Sequence, residues 1–115
     1  MDFLLTDEQR SVVDGATRVS RDVLRPLAQA AHQDGDLRPL RQAMAAHGLL
    51  GLNLAPELGG AGLPLLTTLL LIQAIQAVDA TLGGLAHRTS TGAVGAIMEI
   101  GTDWQKQQFV GRVAR

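Results

Sequence analysis

Residues Gly48 to Gly62 read GLLGLNLAPELGGAG, and what this stretch interrupts decides the fold. It opens on a helix stop at Gly48, passes through an extended Ala55-Pro56 step, and closes with glycines at positions 59, 60 and 62. Glycine reaches backbone angles that a Cβ forbids, so the cluster marks a shaped loop. Upstream lies a polar helical hairpin; downstream lies a very apolar helical stretch.

The upstream half begins with Thr6-Asp7-Glu8-Gln9, a capping-box pattern. The Thr hydroxyl serves the Gln9 amide and the Gln9 side chain reaches back. Val12, Val13, Ala16, Val19, Val23, Leu24 and Leu27 then recur at three- and four-residue spacing and predict one apolar face. Pro26 has no amide to donate, so the helix bends or ends near Arg25, with a continuation to about Ala31. Gln33 to Asp36 forms a turn, and a second helix runs from about Leu37 to His47, closed by Gly48 in a left-handed cap.

Downstream, a third helix runs from Leu63 or Pro64 to about Val78. Its leucines and isoleucines surround most of the circumference, which predicts a central, buried helix. Gly83-Gly84 marks a break over Asp79 to Gly84. A fourth helix spans about Leu85 to Ile100 and carries Gly92 and Gly95. Glycine inside a helix costs about 0.5–1 kcal/mol, so close approach by a backbone or a ligand is expected there. A fifth helix opens on a second capping box, Thr102 to Gln105, and turns Phe109, Val110 and Val113 inward. With no strand alternation or internal repeat, the fold class is all-α: about five helices packed as an orthogonal or up-down helical domain.

Length and composition agree. The 115 residues suffice for one domain spanning 1–115 and are too few for two. Aromatics are 3%, so the core is built of Leu, Val, Ile and Ala. The net charge of −1 shows no basic face for nucleic acid; Arg18, Arg21 and Arg25 form a stripe diluted by Asp14 and Asp22. The absence of cysteine excludes disulfides and thiolate chemistry and fits a cytoplasmic setting. Leu63 to Leu85 is interrupted by Gln73, Gln76 and Asp79 and is too polar for a membrane span, and the N-terminus lacks a signal pattern.

Chemical motifs are sparse. His32, His47 and His87 have no HExxH spacing, and His32 with Asp34 and Asp36 is a weak metal set. His87 reads as a core histidine or a ligand-facing one. Ser90 follows it by three residues but lacks an orienting acid, which favours a packing serine over a nucleophile. The glycine loop matches neither phosphate-binding pattern. No catalytic, cofactor-binding or metal-binding residue emerges.

Several segments, in order, resemble the N-terminal helical domain of the acyl-CoA dehydrogenase family. They are Met1-Asp2-Phe3 with Leu5 to Gln9; Leu24 to Ala28; Gly48 to Leu52 with Pro56 to Leu63; and His87, Ile97, Gly101-Thr102 and Gln105 to Gln108. Leu58 departs from the pattern, since relatives often carry an aromatic there. The resemblance implies a much longer enzyme, in which a β-domain and a C-terminal bundle, both absent here, supply most of the FAD site and the catalytic glutamate. It also implies α,β-dehydrogenation of acyl thioesters, with this domain as one wall of the acyl pocket. Leu85, Arg88 and Gly92 then face the distal acyl end; the alternatives are helix packing for Gly92 and solvent for Arg88. Two readings stay open. The chain is part of such an FAD enzyme, a view the unfinished fifth helix favours, or it is a stand-alone, non-catalytic helical interaction module derived from that domain. For this chain alone no cofactor is expected. The expected partners are the remaining domains or a partner subunit, and itself when isolated, with no nucleic acid and no membrane.

Overall fold

A computed structural model describes residues 2–115; Met1, first residue of the family-like opening, lies outside them. Among the described residues there are seven α-helices and no strand. They are α1 (Asp7–Val19), α2 (Arg25–Asp34), α3 (Arg38–Ala46), α4 (Leu65–Val78), α5 (Ala80–Ser90), α6 (Ala93–Ile100) and α7 (Asp103–Phe109).

Both capping boxes form. The Thr6 hydroxyl accepts from the Gln9 amide at 3.1 Å while the Gln9 side chain accepts from the Thr6 amide at 2.9 Å. Thr102 and Gln105 repeat the exchange at α7. Gly35 and Gly48 take the left-handed conformation that closes α2 and α3.

Pro26 neither ends the first helix nor simply kinks it. Ser20–Leu24 is a π turn, in which the Arg25 amide reaches back five residues to the Ser20 carbonyl. The wider turn accommodates a residue that cannot donate to the ladder. It also re-phases the apolar face. Ala16, Ser20, Leu24, Ala28 and Ala31 now point inward, and Val23, expected inside, is 41% exposed.

The fourth expected helix is two. α5 starts at Ala80, through the glycine pair read as a break, because the Asp79 carboxylate accepts from the Thr81 and Leu82 amides and caps it. It ends at Ser90, and α6 begins after Gly92.

The chain forms a slab 47 × 38 × 18 Å, thick enough for two helix layers. A helix apolar all round therefore cannot be enclosed. α4 buries Thr68, Leu71 and Ile75 but leaves Leu65, Leu66 and Leu69 about half exposed, which overturns the expectation of a central helix. Phe109 is likewise exposed, edge-on to Trp104 with ring centroids 5.9 Å apart, because α7 gives way to a 3-10 turn at Val110–Arg112 that buries Val110 and Ala114 instead.

Candidate functional site

The site is built on α5. Gly83 lets this helix cross α4 closely: a Cβ there would stand 2.6 Å from the Gln76 Cα. The close approach expected at Gly92 or Gly95 thus occurs at Gly83, and a Cβ at Gly95 would meet nothing within 4 Å. Leu82, Leu85 and Ala86 face the main core.

At the end of α5, two buried hydroxyls hold the glycine loop. Thr89 Oγ1 accepts from the Gly51 amide at 3.1 Å and donates to the Leu85 carbonyl at 2.8 Å. Ser90 Oγ accepts from the Leu52 amide at 2.9 Å. Buried amides need such partners, and no strand supplies them here. The loop then folds on itself through Gly62 to Leu54 and Leu63 to Leu52 backbone bonds. Gly60 lies so close to Leu54 that a Cβ would collide with its carbonyl oxygen. Sequence spacing gives Ser90 only as a packing serine and nothing for Thr89, since their partners lie 38 residues away.

The outer side of α5 carries His87 and Arg88, both exposed. His87 is therefore no core histidine; its Nδ1 pairs with Thr91 Oγ1 at 2.9 Å. With Ser90 Oγ engaged by a backbone amide, the two form no nucleophile–base pair. The Arg88 guanidinium folds back over bare Gly84, where a Cβ would lie 3.4 Å from Nη1. Among the described residues, Arg88 makes no ion pair.

Leu85, Arg88 and Gly92 occupy different surroundings. Leu85 is 7% exposed and belongs to the core cluster. Gly92 sits at the α5–α6 break, half-buried, where a Cβ would lie 3.6 Å from the Arg88 Cα. The structure thus brings Arg88 and Gly92 together and turns Leu85 the other way.

Other ionisable groups are engaged locally. His32 Nε2 pairs with Thr81 Oγ1 at 2.9 Å, and Asp36 forms a two-pronged contact with Arg38 at 2.9 and 3.0 Å. That guanidinium holds the Asp36 carboxyl below its ordinary value. Among the described residues no three His, Asp or Glu side chains converge on a point. A groove of about 400 Å³ between α6 and α7 is lined by Ala96, Ile97, Ile100, Gly101, Phe109 and one polar side chain, Gln105. These residues lack the donors that a flavin ring and pyrophosphate require, so they do not by themselves form a flavin cradle. No helix among the described residues is long and apolar enough to cross a membrane.

Residues 6–115 match the family model for acyl-CoA dehydrogenase, N-terminal domain. The chain is 35% identical over 106 residues to the 3-sulfinopropanoyl-CoA desulfinase of Paraburkholderia xenovorans, a match covering 91% of this chain and 27% of that protein. It is 27% identical over 117 residues to the short-chain specific acyl-CoA dehydrogenase of Clostridium acetobutylicum, covering 100% of this chain and 31% of that one. It therefore spans less than a third of the length of these relatives. With nearly every residue inside the matched range and an all-helical fold to go with it, the chain belongs to the acyl-CoA dehydrogenase family, as its N-terminal domain.

Proposed function

We propose that this chain is the N-terminal helical portion of an FAD-dependent, acyl-CoA dehydrogenase-like enzyme acting on acyl thioesters. It contributes a wall of the acyl pocket and a packing face for the other domains, not acid–base chemistry. The observation that carries this reading is the apolar surface left uncovered. Leu65, Leu66 and Leu69 on α4, and Ile100, Trp104 and Phe109 at the α6–α7 edge, are 47–87% exposed. Large apolar side chains grouped in the open on one helix or one edge mark a contact face. In this reading FAD and the catalytic base belong to the complete enzyme, and the two relatives' names, a desulfinase and a dehydrogenase, leave the bond that is broken open.

Within this reading Leu85, Arg88 and Gly92 border the distal acyl end. Leu85 supports the wall from behind, Gly92 leaves room, and Arg88 supplies a cation. The desulfinase's name carries a sulfino group at the far end of a short acyl chain, an anion at neutral pH. Arg88 therefore favours acyl groups that end in an anion, through charge-assisted hydrogen bonds. In the enzyme that carries this domain, Arg88→Ala lowers kcat/KM for an anion-terminated acyl-CoA at least about tenfold and spares the alkyl-terminated one. An equal effect on both substrates counts against Arg88 at the acyl end.

The second reading, a non-catalytic interaction module, draws on the same exposed side chains, which would then bind a second copy or another protein. The two readings part on whether the native assembly holds flavin.

A further inference from the structure

Two apolar clusters hold the chain together, and they differ in size. The first unites α1 to α5 with the start of the glycine loop and contains thirteen buried side chains. The second contains four, Leu54, Val94, Val110 and Ala114, fringed by Leu58, Ile97, Met98 and Val113. Its members come from α6, the terminal turn and the far side of the loop. α6 packs chiefly on α5, α7 and the terminal 3-10 turn, and that turn packs on Pro56–Leu58.

Among the described residues, the chain passes from α5 into α6 at the Thr91–Gly92 break. There the Thr91 amide still bonds to the His87 carbonyl, and α6 starts with no side-chain cap. Apart from the packing of α6 on α5 beside this break, the non-covalent latch is small. A Cβ on Gly51 would lie 2.8 Å from the Ala114 Cβ, so Ala114 rests on bare Gly51 backbone. Leu54, 4% exposed, with half-buried Leu58 beside it, supplies the loop's apolar contact. Gly51 and Leu52 are themselves fixed to α5 by the Thr89 and Ser90 hydroxyls, so the latch plate belongs to the larger part.

We infer that residues 93–115 open as a unit of their own, hinged at Thr91–Gly92 and latched on Gly51 and Leu54, while α1 to α5 stay closed. Segments with few buried apolar contacts open locally at a fraction of the global free energy. The hinge follows the last turn of α5, whose backbone at Arg88 lies 3.6 Å from where a Gly92 Cβ would stand. This inference concerns the chain by itself, before any other domain covers its α6–α7 face, and does not rest on the acyl-pocket reading.

Hydrogen exchange read by mass spectrometry on the whole chain tests it. Amides of α6 and α7 exchange at least about tenfold faster than those of α4 and α5. Leu54→Ala speeds exchange in 93–113 further, by at least about tenfold, and leaves α1 and α4 unchanged. A common exchange rate in both parts of the unsubstituted chain overturns the inference. So does a Leu54→Ala variant that accelerates every helix together, or none.

Discussion

Ser20 and Ser90 are both wholly buried, yet replacing them with alanine has opposite consequences. Ser90 Oγ is the acceptor for the Leu52 amide, and Leu52 is 1% exposed, so no water replaces it. Ser90→Ala strands a buried donor, which costs about 1–3 kcal/mol. With a typical unfolding entropy per residue, a chain of this length loses roughly 4–12 °C in Tm. Ser20 Oγ has no partner. Ser20→Ala removes an unsatisfied polar atom and only one heavy atom of volume, so stability stays within about 0.5 kcal/mol or rises. Urea and thermal unfolding followed by far-ultraviolet circular dichroism measure both variants. Equal losses, or a Ser90→Ala variant within about 0.5 kcal/mol of the parent, refute the assignment of Ser90 as the loop's anchor.

Other outcomes follow from the same geometry. Gly83→Ala places a Cβ against Gln76 and forces α4 and α5 apart, a destabilisation on the order of 1–3 kcal/mol, measurable by urea unfolding; a neutral substitution contradicts the close crossing. The Asp36 carboxyl titrates below its ordinary value because of the Arg38 guanidinium and, less, the Arg38 amide, and Arg38→Ala, which keeps the amide, raises it part of the way back in an NMR titration. Since the folded value is the depressed one, the pair's contribution is present above the unfolded carboxylate value and disappears as pH falls through the folded value. Both side chains are solvent-facing, so the titration midpoint responds and global stability barely does. In the enzyme that carries the domain, Gly92→Leu shortens the preferred acyl chain, and an unaltered chain-length profile removes Gly92 from the pocket.

The parts of the fold that local chemistry dictates are legible in the sequence. Thr6 with Gln9, Thr102 with Gln105, and Gly35 and Gly48 as stops each depend on residues within one turn. The misreadings involve distant partners. Gly83-Gly84 reads as a break until Gln76 on the neighbouring helix and the Asp79 cap give it a reason to stay helical. Val23 reads as core until the π turn before Pro26 shifts the buried stripe to Ser20 and Leu24. Leu65, Leu66 and Leu69 read as buried because periodicity counts apolar residues without knowing how many layers cover them. At the candidate site, Arg88 and Gly92 enter through the family resemblance and not through any spacing of their own. Of the hydroxyls that fix the loop, Ser90 reads only as a packing serine and Thr89 carries no signal, since a bond across 38 residues leaves no periodic trace.

The most direct test of membership in a flavoenzyme is a visible absorbance spectrum with light scattering on the natively purified protein. A yellow peak well above the 12.1 kDa of this chain is the predicted result, with the exposed α4 and α6–α7 faces covered by the rest of the enzyme. A colourless peak at a small multiple of 12.1 kDa contradicts it and leaves a flavin-free helical module whose family membership describes descent alone.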